Sequence, residues 1–267
     1  MIRAETENEW ILVTHPDHAR LAGEFADAWG NERFAPPEPL ADVSYAVHHH
    51  DDGWLARDAA PSLTKDGKPE AFTKALVGAY SAFEEIDLPN YLKVRGQATA
   101  AVAAVNRYAG IVTSMHTVNL LTEQADVSSI RPEHRNAHRA FVEEQQAWQR
   151  VEADALGASP AALRQAFEFL QACDNLSLIA CSGYDQPRAL RHTHADREGE
   201  RHTLTCTPIA PGTWSIAPWP FRDAAHTFTV NRRRVPKLAC GSVDEFRAAF
   251  AAAAVEPAVI KLVPGAV

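Results

Sequence analysis

No stretch of this 267-residue chain approaches the roughly 20 uninterrupted apolar residues that a membrane-spanning helix needs. The first residues, Met1-Ile2-Arg3-Ala4-Glu5, lack the basic and then apolar regions of a secretory signal. The expectation is a cytoplasmic protein with no membrane partner. Cysteine is scarce: four residues, at 173, 181, 206 and 240, with no Cys-x-x-Cys pair, which reads as reduced, mostly buried thiols. Basic charge is in deficit, 26 Lys and Arg against 34 Asp and Glu, for a formal net charge of −8. That argues against broad binding to a nucleic-acid backbone. There is no Gly-rich phosphate-cradling loop, no internal repeat and no low-complexity tract. Neither Ser182-Gly183 nor Cys173 and Cys181 stands in a nucleophile–base arrangement.

What the chain does have is histidine: 12 residues, three of them consecutive in His48-His49-His50-Asp51-Asp52-Gly53-Trp54. A His beside an Asp at a helix end, followed by Gly, can offer two ligands to one metal ion. Hydrophobic residues make up 46% of the chain, enough for a sizeable core in one large domain or two small ones.

Residues 8–14 read as a short strand. A helix is expected over 16–29, with Thr14 as a cap, Pro16 in the first turn and Gly30 as the stop. A Pro-rich connection leads to a second helix over 41–50. Residues 57–71 read as loop, and 72–86 and 91–121 as helix, the latter weakened at Ala109-Gly110. A long polar helix is expected over 132–156 and an apolar one over 160–183, capped by Ser159 and stopped by Gly183. From 201 to 235, β-type residues alternate between Pro and Gly breaks, as in Thr203-Leu204-Thr205-Cys206 and Thr227-Phe228-Thr229-Val230. A helix over 242–254 and a strand over 258–263 close the chain. The expectation is mainly α: an all-helical body over 1–185 and a small β-rich C-terminal extension over 186–267, packed as one integrated domain.

Three polar residues interrupt apolar helix faces. Leu163, Phe167, Leu170, Leu178 and Cys181 mark a buried face, and Asp174 lies on it. A carboxylate there has to be neutralised, paired or bound to a metal; pairing with an Arg or capping another helix is the plain alternative. Leu21, Ala22, Phe25 and Trp29 line one face of the first helix, with His18 among them. His116 is embedded in Ile111-Val112-Thr113-Ser114-Met115-His116-Thr117. A lone His on an apolar face is more often a satisfied core residue than a ligand. Two such His, one such Asp and an adjacent His-Asp pair together suit one central metal site.

In that order, His18, His50-Asp51 and Asp174 resemble the HD superfamily of metal-dependent phosphohydrolases. More closely, four segments look like the bacterial family catalogued as domain of unknown function 3891. They are Pro16-Asp17-His18-Ala19-Arg20-Leu21-Ala22-Gly23, His50-Asp51-Asp52-Gly53-Trp54 with Asp58-Ala59-Ala60-Pro61, Asp174-Asn175-Leu176-Ser177-Leu178, and Pro218-Trp219-Pro220-Phe221. The resemblance spans almost the whole chain. It implies an HD-like helical bundle in which His18, His50, Asp51 and Asp174 hold a divalent ion (Fe, Mn, Zn, Ni or Mg). His116 matches an additional His of two-metal members. A further His is missing, since none lies between His50 and His116, and Glu84 or Glu85 could substitute. The expectation is therefore one or two ions per chain.

The resemblance implies a hydrolase in which the metal activates a water against a small, anionic phosphoester or nucleotide-like substrate. Asp51 and His116 are the candidate catalytic residues, the first as a proton acceptor, the second as a further ligand or a partner for the substrate anion. Two rivals stand beside this reading: an HD-type di-iron oxygenase, and a binding protein whose metal serves stability only. A homodimer is left open. Asp52 reads as a helix-end carboxylate, and Trp54 as pocket lining or core. His134 and His138, at i and i+4, read as a solvated face, and Arg232-Arg233-Arg234 as a solvated strand edge.

Overall fold

The computed structural model describes residues 1–83, 86–239 and 241–266. Eight helices are described: α1 (His15–Ala28), α2 (Leu40–His49), α3 (Leu55–Ala59), α4 (Leu88–Val105), α5 (Arg107–Thr122), α6 (Arg135–Leu156), α7 (Pro160–Ser182) and α8 (Val243–Ala252). Their ends follow local chemistry. The Thr14 hydroxyl accepts from the Asp17 amide at 3.1 Å and opens α1, with Pro16 in the first turn. Ser159 does the same for α7 through the Ala162 amide, and Gly183, at φ +67°, ends it. The helix expected over 91–121 divides at Asn106, whose side chain accepts from the Ala109 amide and starts α5 anew. Gly110 then lets α5 run against α4, since a Cβ there would meet the Ala103 Cβ at 2.5 Å.

The mainly α expectation, an HD-like bundle with a small β-rich extension, is overturned by the sheet. Eight strands form one curled, mixed sheet, a half-barrel. They are β1 (Ile2–Glu5), β2 (Glu9–Val13), β3 (Phe72–Thr73), β6 (Arg188–Ala189), β9 (Thr205–Ala210), β10 (Thr213–Ala217), β11 (His226–Pro236) and β12 (Val255–Pro264), in the order β3-β1-β2-β11-β12-β10-β9-β6. Two short pairs lie outside it: β4 (Ser81–Ala82) with β5 (Ala125–Asp126), and β7 (His194–Ala195) with β8 (Arg201–His202). The decisive pairing joins the two ends of the chain: Leu12 of β2 lies opposite Arg233 of β11, and Trp10 opposite Val235. The sheet is therefore a second layer of the whole molecule, with strands from residues 2–13 built into its middle.

The segment 72–83, expected to open a helix, pairs instead: Phe72 lies opposite Ile2, and Ser81 opposite Ala125. Gly78 adopts φ +71°, a left-handed turn that ends any helical register. Glu84 and Glu85 lie outside the described residues.

One face of the sheet packs on α1 and α7. Phe25 of α1 meets Phe228 of β11 edge-on, with ring centroids 4.8 Å apart, and Leu21, Leu170, Ile216 and Ile260 join the same core. On the other face, Phe246 and Phe250 of α8 cover Trp10, Leu12 and Val235. Burying both faces in this way is what stabilises a wide sheet, at about 25 cal/mol per Å² of apolar surface removed from water. Cys173, Cys181 and Cys206 are free and buried, and Cys240 lies outside the described residues. Among the described residues, no helix is long and apolar enough to cross a membrane.

Candidate metal centre

His18 on α1, His50 and Asp51 at the end of α2, His116 on α5 and Asp174 on α7 meet in the interior. Their exposures run from 0% at His50 to 5% at Asp174. They form two overlapping groups able to hold a metal ion: His18, His50 and Asp174, and His50, Asp51 and His116. Within each group the donor atoms lie within 4.8 Å of one another.

Every imidazole is fixed by its outer nitrogen. The Ser177 hydroxyl donates to the Asp174 carbonyl at 2.8 Å, so its oxygen accepts from His18 Nδ1–H, also at 2.8 Å. His50 Nδ1–H donates to the Val47 carbonyl at 2.8 Å. His116 Nδ1–H donates to Gln171 Oε1 at 2.5 Å, and the Gln171 amide is oriented by its own donation to Asn119 Oδ1 at 2.7 Å. In each neutral ring the lone pair is thus on Nε2, the nitrogen free to ligate. His18 Nε2 faces Asp51 Oδ2 at 3.0 Å. His50 Nε2 lies 3.4 Å from Asp174 Oδ1 and 3.9 Å from Asp51 Oδ2, fully buried and without a hydrogen bond. Lone pairs facing carboxylate oxygens repel unless a cation, proton or metal, lies among them. The donor set, three Nε2 atoms and two carboxylates, is one that divalent first-row ions take. Residues and geometry therefore fit such an ion.

The charges agree. Burial works to raise the pKa of Asp51, but Arg95 and His50 hold it well below the usual carboxylate range. Asp174 is likewise penalised by burial and held low by His50, His116 and His18. Burial alone would lower the pKa of His50, yet the neighbouring Asp51 and Asp174 raise it to about 9. Burial lowers His116 to about 4, so its imidazole is neutral at physiological pH.

Four features of the centre were not singled out in the sequence. Arg95 on α4, 6% exposed, donates from Nη1 to Asp51 Oδ1 at 2.6 Å and lies against the faces of Trp54 and Tyr91. The one signal was an Arg set among Leu92, Val94, Ala98 and Val102. Gln171, one turn before Asp174, and Ser177, three residues after it, gave no signal beyond polarity on a buried helix. His15 stacks on Trp54 with centroids 4.6 Å apart and pairs with buried Asp58 at 3.0 Å, which anchors α1 one turn before His18. Gly53 follows the His-Asp pair, but its φ is not positive, so no left-handed turn requires glycine there. Its role is proximity: a Cβ would meet the Ala98 Cβ at 2.4 Å, so only Gly lets the chain after α2 lie on α4, with Asp51 beside Arg95.

Other candidates go elsewhere. His48 pairs with Asp27 at 2.9 Å, and His49 with Asp52 at 2.6 Å, so Asp52 is a helix-end carboxylate. His138 is buried rather than solvated, and its Nε2 donates to the Leu121 carbonyl. The three arginines of β11 lie on a central strand, not an edge. Arg232 pairs with Glu256, Arg234 with Glu9, and Arg233 donates to the Ala253 carbonyl. Asp196, Glu200 and His202 form a third possible group near the surface. There Asp196 already accepts from two backbone amides and His202, as a turn carboxylate does.

The family model described as protein of unknown function (DUF3891) matches residues 1–237, and the chain belongs to that family. No curated protein and no solved structure matches it.

Proposed function

We propose that this member of the DUF3891 family is a metal-dependent hydrolase of a small, anionic phosphoester or nucleotide-like substrate. One observation carries the reading: three buried imidazoles, each tied by Nδ1 to an outer acceptor, turn Nε2 toward two ionised, buried carboxylates, an arrangement that calls for a cation among them. The order His18, His50-Asp51, Asp174 resembles that of the HD phosphohydrolases, here on a fold with a large sheet. His18, His50, Asp51 and Asp174 would hold the ion. When bound, a divalent ion acidifies a water and polarises a phosphoryl oxygen.

The chain's own residues supply the rest. Asp51, fixed by Arg95, stays an anion that orients the centre. His116 stays neutral, and its free Nε2 can accept a proton while Gln171 holds Nδ1–H. The test is metal content together with turnover. The purified protein should carry a divalent ion, and His50→Ala and Asp174→Ala should lose it. A screen of phosphate esters should reveal turnover that a chelator abolishes and added metal restores. Equal metal content in parent and variants would sink the site assignment.

The depth of burial favours a second reading, in which the ion serves stability alone. It predicts that chelation lowers the melting temperature while no substrate turns over.

A further inference from the structure

The two donor groups share His50, which leaves open whether the centre takes one ion or two. A second ion would draw on the His50–Asp51–His116 group, and Asp51 has two oxygens to offer. Oδ2 faces His18 and His50. Oδ1 is covered by Arg95 Nη1 at 2.6 Å. We infer that Arg95 is a built-in cation occupying the second position of the centre, so that the chain holds one divalent ion and not two. The inference rests on the metal-centre reading above and narrows it.

Three observations support it. First, charge: the two groups contain two carboxylates, Asp51 and Asp174, and Arg95 offsets one of them. One divalent ion brings the sum of these charges to +1, whereas two bring it to +3 in an almost dry interior, which is strongly unfavourable. Second, permanence: a guanidinium does not lose its proton in proteins, so no change of pH vacates the place. Third, fixation: Arg95 donates from Nε to Tyr91 Oη at 3.3 Å, and its guanidinium carbon lies 5.1 Å from the Trp54 ring centroid and 5.4 Å from that of Tyr91. Packed against both rings, which adjoin with centroids 5.5 Å apart, it is held in place when a metal arrives. A one-ion centre also removes the di-iron oxygenase from the candidate activities.

The test uses Mn(II) alone, with stoichiometry from equilibrium dialysis and electron paramagnetic resonance as the second readout. The parent protein should bind one Mn(II) with the signal of an isolated ion. Arg95→Met keeps an apolar stem against Trp54 and Tyr91 but removes the charge. It should take up a second Mn(II) and show a spin-coupled pair. Arg95→Gln, which can still donate to Asp51, serves the same purpose should Arg95→Met fail to fold, and Arg95→Lys should stay at one ion. A coupled pair in the parent overturns the inference, as does a single ion in folded Arg95→Met or Arg95→Gln. A parent that binds no Mn(II), Zn(II) or Fe(II) overturns the metal reading itself, and this inference with it.

Discussion

Ser177 and His18, 159 positions apart in sequence, meet at 2.8 Å, and the hydroxyl hydrogen of Ser177 is already committed to the Asp174 carbonyl. The orientation of one candidate ligand is thus set from the helix that carries another. Ser177→Ala should leave His18 Nδ1–H without its acceptor and free the ring to change tautomer. Removing such an outer partner typically weakens metal binding about 10–100-fold. A competition titration against a chromophoric chelator would measure it. A loss under about twofold would exclude the positioning role.

Gln171 plays the same part for His116, with Asn119 fixing which way its amide points. Gln171→Leu removes the acceptor in a buried setting, at a cost of about 1–3 kcal/mol in the metal-free protein. The sharper signature is spectroscopic. In ¹⁵N-labelled protein, the His116 proton should reside on Nδ1 in the parent and redistribute toward Nε2 in Gln171→Leu. An unchanged tautomer in the variant would show that Gln171 does not set it.

Gly53→Ala tests proximity. The added methyl would meet Ala98 Cβ at 2.4 Å and its Cα at 2.8 Å, atoms of a helix backbone that cannot yield. Overpacking of this kind costs typically about 1–3 kcal/mol. The damage should reach the centre as well, because the same approach brings Asp51 to Arg95. Ala98→Gly in the same chain, which removes the closest of these contacts, should recover part of the loss in a urea denaturation. Failure of the second substitution to compensate would mean that Gly53 matters for some other reason.

These residues also show what the sequence could disclose. His18, His116 and Asp174 stood out because charge or imidazole on an apolar helix face is costly, a conflict that helical period exposes, and His50 and Asp51 stood out as an adjacent His-Asp pair at a helix end. Arg95, Ser177 and Gln171 act through partners on other helices, and a contact of that kind has no period to betray it. The helices were legible from caps such as Thr14 and Ser159. The sheet was not, because its strands are mostly two to six residues long and its middle joins β2 to β11 across more than 220 positions. The run Arg232-Arg233-Arg234 concealed a central strand, since its charge is absorbed by Glu9, Glu256 and the Ala253 carbonyl instead of by water. Leu178, assigned to a buried face, is only half-buried, while Leu176 and Ile179 lie inside: α7 is packed on most of its circumference, and a single-stripe reading does not apply to it.

A last expectation concerns pH. Glu168 on α7 accepts from Arg164 Nε at 2.7 Å and from Arg201 Nη2 of β8 at 2.6 Å, joining α7 to the β7–β8 pair. Burial pushes the Glu168 carboxyl up, but the two guanidinium groups outweigh burial and hold its pKa below the ordinary value of 4.5. A folded-state pKa below the unfolded one means that the unfolded chain binds the proton more readily. The carboxylate therefore stabilises the fold above pH 4.5, and that contribution fades as pH falls through the lower folded value. Both arginines are about half exposed, so solvent screening keeps the whole effect near 1 kcal/mol. Glu168→Gln should melt a few degrees below the parent at neutral pH, and the gap should narrow as the pH falls below 4.5. A gap that stays constant across that range would assign the loss to packing and not to the ion pairs.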